Sequence, residues 1–186
     1  MSVSENMYIS AKMFKHLAEY SFDQTCVEKP EEERKLILQE YQKLLFSIEG
    51  DDPQEQKKLD ALWNSQWEDQ PQYLIPFIVN ASFACELYLK AILTHDNVPY
   101  STKGTDGHDL KKLFATLPDV RKTFIIERMP FDFSSDFNEM LEEIRFAFKE
   151  WRYWFEGNAS HASCLFVGAF CDVLHSYAFT VIQEGS

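Results

Sequence analysis

The chain has 186 residues, enough for one domain that buries its own core without disulfide or metal staples. Aromatic residues make up 15% of it, which excludes a disordered chain, and a formal net charge of −12 excludes holding nucleic acid by bulk electrostatics. Any nucleic-acid site must therefore be a local basic patch.

Residues 5–22 carry Tyr8, Met13, Phe14, Leu17 and Ala18 at helical spacing with polar residues between them, which predicts a first amphipathic helix. Lys29-Pro30-Glu31-Glu32-Glu33 reads as a helix start, with proline in the first turn and acids at the positive end of the dipole. Leu36, Ile37, Leu38, Tyr41, Leu44, Leu45 and Ile48 continue that helix to Gly50. A shorter helix follows Asp51-Asp52-Pro53 through Leu59, Leu62 and Trp63, and Asp69-Gln70-Pro71 is expected to break it.

Ile75 to Leu93 is predicted as one long helix, apolar on nearly every side, with Pro76 in its first turn and no breaker before Asn97 and Pro99. It is either the buried axis of a helical domain or a membrane span. Glu86 and Lys90 weigh against spanning, since each charge at a bilayer centre costs roughly 2.5–3.5 kcal/mol on insertion scales. They form an internal ion pair, or their tips snorkel out at a helix edge. No other stretch is read as reaching membrane length. The first residues lack the basic flank, apolar run and cleavage site of a signal peptide. The expectation is a cytoplasmic protein with no membrane contact.

Residues 97–107 read as a loop, and Asp106-Gly107-His108-Asp109 opens a short helix through Leu110, Leu113, Phe114 and Leu117 that Pro118 closes. Residues 119–129 are predicted helical and 130–135 a turn. From Asp136 a second strong helix is expected to run to about Glu156, its Phe137, Leu141, Ile144, Phe148, Trp151 and Phe155 forming a core stripe. Gly157-Asn158 ends it, and a last helix spans about 159–182. No strand pattern competes anywhere. The predicted fold class is all-α, a single domain in which the helices of residues 1–70 pack on a core over 75–182, built around a central helix at about 75–95.

The face of the 136–156 helix turned from the apolar stripe carries Arg145, Lys149 and Arg152, spaced four and three apart, a basic strip about 10 Å long. It is the best anion-binding candidate in an acidic chain, set against a solvated face with i,i+4 pairs such as Arg152 with Glu156. On the last helix His161, Cys164, Gly168, Cys171 and His175 share a stripe. His161 and His175 lie about 21 Å apart along a helix, too far to ligate one ion, so no metal is expected and Gly168 marks close approach of another helix. Cys26, Cys85, Cys164 and Cys171 lack Cys-x-x-Cys spacing and read as reduced thiols of a reducing compartment. Asp109 stands at a helix start, where the dipole favours a carboxylate, and His108 is placed to hydrogen-bond inward to Glu86. Glu86, Lys90, His108 and Asp109 thus form an expected polar network. With no Gly-rich phosphate loop, Gly-x-Ser-x-Gly elbow or paired metal-ligand motif, no cofactor is expected either.

Three pieces occur in order: Ala84-Cys-Glu-Leu-Tyr-Leu-Lys-Ala-Ile-Leu93, Gly107-His-Asp-Leu-Lys-Lys-Leu113 and Phe146-Ala-Phe-Lys-Glu-Trp-Arg-Tyr-Trp-Phe-Glu156. Together they resemble the HEPN superfamily, the higher eukaryote and prokaryote nucleotide-binding domains, over about residues 75–182. The resemblance implies a helical bundle that dimerises. In many members it also implies a metal-independent endoribonuclease of toxin or phage-defence systems, where an Arg and a His with four to six residues between them meet across the dimer on RNA. Carried to this chain the pair is Arg152 and His161, between which eight residues intervene, and Tyr153 replaces the usual polar neighbour.

Two functions follow as expectations. In one the chain binds or cleaves RNA, with Arg152 on phosphate, Arg145 and Lys149 extending the contact, and His161 as general acid or base. In the other it is a non-catalytic homodimeric interaction module whose aromatic cluster, Trp151, Tyr153 and Trp154, supplies contact area.

Overall fold

A computed structural model describes residues 2–27, 71–153 and 164–183, and among them every regular element is helical, with no strand. The helices expected over 30–50 and 53–67 and the first residues of the last helix lie outside the described residues. Among the described residues three long helices form the frame: α1 (Val3–Val27), α2 (Pro71–His95) and α8 (Cys164–Gln183). Between α2 and α8 the described residues form a 3-10 turn (Thr105–His108) and five short helices. These are α3 (Leu110–Thr116), α4 (Asp119–Ile126), α5 (Phe131–Ser134), α6 (Phe137–Glu143) and α7 (Ala147–Trp151).

The central helix begins earlier than expected. Pro71 starts it and does not break before it, because a proline at the first helical position loses no intrahelical bond. Pro76 consequently sits inside the helix, and the Asn80 amide reaches back to its carbonyl at 2.7 Å. Asn97, in the left-handed region at φ 56°, ends the helix, and Val98 N–H closes on the Leu93 carbonyl at 2.9 Å.

α2 earns its central place by burying residues on every side: Ala81, Ala84, Cys85, Tyr88, Leu89, Ala91, Ile92 and Leu93 are all nearly or wholly sealed. α1 runs antiparallel along it, pairing Phe22 with Phe77, Phe14 with Phe83 and Tyr8 with Tyr88. Ala11 and Ala18 at the seam let the two backbones approach. Met13 and Leu17, expected on the apolar face, instead lie outside with Ile9 and Tyr20, so α1 carries a second, outward apolar stripe.

α8 runs parallel to α2. An added Cβ on Gly168 would meet the Phe77 ring at 3.4 Å, so the close approach expected there is made by α2 of the same chain. Cys171 meets Cys85 thiol to thiol, and both are buried and reduced; burial first, then that neighbour, pushes the Cys85 thiol well up from its ordinary value. Further along, His175 Nδ1 meets Tyr88 Oη at 2.9 Å beneath the stacked ring of Tyr8. On the far side Arg121 of α4 clamps Asp96 through two bonds of 2.6 Å and donates to Tyr177 Oη at 2.7 Å.

Tyr73–His95 and Leu165–Ile182 are both long and apolar enough to cross a membrane, the second contrary to the expectation that only the central stretch reaches that length. Within the bundle, 67% of an 18-residue window of the first span and 50% of the second are buried.

The expected helix over 136–156 is broken. α6 stops at Glu143, Ile144 to Phe146 form a turn, and α7 restarts at Ala147. The Arg145 carbonyl, which would have served a continuous helix, accepts instead from Leu110 N–H at 3.0 Å, the first amide of α3. That amide has no acceptor within its own helix, so one helix start is satisfied by interrupting another.

Candidate functional site

Three of the four residues of the expected polar network, Glu86, Lys90 and His108, come together, while Asp109 bonds elsewhere. Glu86 is 1% exposed, and Lys90 one turn later donates to its Oε1 at 2.6 Å. The pair is internal and does not snorkel apart. His108, at the end of the 3-10 turn, brings Nδ1 to 3.0 Å from Glu86 Oε2 and 3.2 Å from Oε1. A carboxylate on a core helix is tolerable only with such partners. Gly107 lets the turn pass close to the Thr102 backbone just before His108, since a Cβ there would lie 3.0 Å from the Thr102 carbonyl carbon and the loop would have to give by a few tenths of an ångström.

Asp109 does more than cap. Its Oδ1 accepts from Lys112 N–H at 3.1 Å, as the first-turn position predicts. Its other oxygen takes Arg145 Nη2 at 2.6 Å, with the carboxylate fully buried. Arg145 also donates to Glu142 at 2.5 Å, and Lys111 reaches the other Glu142 oxygen at 2.6 Å. The bonds from Lys111, then Arg145, hold the Glu142 carboxyl below its usual range.

The basic strip is therefore corrected. Its three residues do not share one helix, because the break places Arg145 in a turn where two carboxylates hold it. Lys149 on α7 and Arg152 just past it remain exposed. The Arg152 guanidinium lies over the rings of Phe148 and Tyr153, at 4.6 and 5.4 Å from their centroids. Trp151, expected to offer contact area, is buried; Trp154, Glu156 and His161 lie outside the described residues. The convergence of Arg152 with His161 thus falls on a residue outside the description.

Phe148 is the residue of this surface that sequence reading misplaced. Expected as a core stripe position, it is half-buried, stacked on Phe83 at 4.3 Å, and flanked by Arg152 and by the His108 ring at 5.9 Å. The signal was present: a phenylalanine four residues before an arginine on one helical turn is a cation–π pair. Phe148 thus joins the expected structural network to the expected anion binder at one surface. A separate cavity of about 330 Å³, lined by Tyr100, Asp106, Lys112 and Thr116 among others, contains none of the predicted site residues. Among the described residues no group of three or more His, Cys, Asp or Glu side chains could hold a metal ion.

Comparison of the chain with protein-family models, with curated proteins and with solved structures finds no match.

Proposed function

We propose that the chain is a HEPN-like RNA-binding domain that holds RNA at the surface around Phe148. The observation that carries this reading is the exposed Arg152 guanidinium laid over two aromatic rings beside the exposed Lys149. Phosphate binds the guanidinium in a forked geometry, and a base stacks against the Tyr153 ring, 45% exposed. Arg145 is excluded from that role by its two carboxylates. In its stronger form the reading is a metal-independent endoribonuclease of a toxin or defence system, acting as a homodimer in which Arg152 and His161 meet.

Fluorescence anisotropy with a randomised single-stranded RNA pool at about 50 mM salt tests the binding. Arg152→Glu is expected to weaken binding at least ~10-fold, about 1.4 kcal/mol, and Lys149→Glu by less. A wild-type chain that does not bind the pool, or binding that Arg152→Glu leaves unchanged, removes the reading.

A second reading, a homodimeric interaction module without catalysis, is favoured by the outward stripe of α1, where Ile9, Met13, Leu17 and Tyr20 are 40–64% exposed. An apolar row of this kind suits a two-fold helix pair with another copy. Light scattering that finds only monomer at high concentration counts against it.

A further inference from the structure

We propose that His108, oriented by the buried Glu86, is the general base that this surface applies to the ribose 2′-hydroxyl of a bound RNA strand. The proposal rests on the RNA reading and deepens it. It moves the acid–base role from His161 to a residue whose sequence context marked it as packing.

Three observations support it. First, the ring is held by a sealed carboxylate: Glu86 is 1% exposed, and the His108 side chain is 43% exposed. A carboxylate accepts and does not donate, so the ring proton in that bond sits on Nδ1, and in the neutral imidazole the lone pair is then on Nε2. Second, Lys90 fixes Glu86 from the other side at 2.6 Å, so the carboxylate cannot swing away from the ring. Glu86 is thereby a positioning residue in the sense that an orienting carboxylate behind a histidine base is one. Third, His108 and Arg152 flank the same phenylalanine, so a phosphate on the guanidinium brings its neighbouring ribose towards the imidazole. Glu86 bonds the His108 ring, Lys90 bonds Glu86, and Arg152 lies over the phenylalanine that the ring touches; Asp109, next in sequence, is held by Arg145.

The chemistry balances without a metal or redox partner. Nε2 of His108 takes the proton of the 2′-hydroxyl as that oxygen forms a bond to the adjacent phosphorus. The bond from phosphorus to the 5′-oxygen breaks, and the leaving oxygen takes a proton from water. The products are a 2′,3′-cyclic phosphate and a 5′-hydroxyl, and His108 returns its proton to solvent. DNA, lacking the 2′-hydroxyl, is not a substrate.

The test uses the full chain, a randomised single-stranded RNA pool with chelator present, and the variants His108→Asn and His161→Ala. Asn places an amide N–H where Nδ1 stood, which keeps the bond to Glu86 and removes the proton-accepting Nε2. A merely structural His108 would tolerate it. The expected result is cleavage by the wild-type chain to cyclic-phosphate ends, with no cleavage of DNA. His108→Asn should slow it ~100-fold or more at unchanged RNA affinity and helical content. Cleavage that His108→Asn leaves intact overturns the proposal, as does cleavage abolished by His161→Ala but not by His108→Asn. A wild-type chain that binds RNA and does not cleave it overturns this proposal and leaves the binding reading standing; one that does not bind overturns both.

Discussion

His175 shows what burial does to an imidazole in this fold. His175 is half-buried between α1, α2 and α8, and burial first, then the charges of Lys15 and Lys12, lowers its pKa; Asp172 and Glu19 oppose this more weakly. The folded state thus binds a proton less readily than the unfolded chain. Stability from this group is fully present above the unfolded value, near 6.5, and is lost as pH falls through that value towards the lower folded one. The urea midpoint of the wild-type chain should therefore fall between pH 7.5 and 5.5 by more than that of His175→Gln, which keeps a partner for Tyr88 and does not titrate. Equal falls would show that Tyr88 and Tyr8 accommodate the charged ring. The Glu86 contacts were partly legible in the sequence: a four-residue spacing puts Lys90 in reach but leaves snorkelling open, and the stretch before a helix start makes His108 a candidate donor without fixing it. The Asp109 to Arg145 bond was not legible, since it spans 36 residues and exists only because a helix breaks.

The break between α6 and α7 marks the limit of pattern reading for elements. Residues 144–146 contain no glycine or proline, and the apolar spacing runs through them unaltered. What stops the helix is a tertiary hydrogen bond, Leu110 N–H to the Arg145 carbonyl, which no local pattern encodes. Gly168 is the opposite case, a local signal whose meaning the structure supplies. At 3.4 Å from the end of the Phe77 ring, a methyl group makes ordinary contact, and alanine removes the entropic cost of glycine within a helix. Gly168→Ala should raise stability by about 0.5–1 kcal/mol in urea unfolding. Gly168→Leu should lower it by roughly 1–3 kcal/mol, because the longer side chain runs into Phe77. A loss on the alanine change would mean that the Phe77 ring cannot shift.

At the scale of the molecule, a net charge of −12 set against the small cationic surface around Arg152 gives the proposed RNA binding a definite salt dependence. An acidic body repels a polyanion at long range, so affinity has to come from contact at Arg152 and Lys149 and from stacking on Tyr153. Each phosphate neutralised on a single strand contributes a slope of about −0.7 in log K against log salt, so two cations give about −1.4. Long-range repulsion acts in the other direction, since salt screens it, and makes the measured slope shallower still. Titration from low to physiological salt should thus lose far less affinity than a basic RNA-binding domain loses. Arg152→Glu should flatten the slope towards zero as well as weaken binding. A slope steeper than about −3 would require more than four phosphate contacts and would place the RNA on a different, more extended surface.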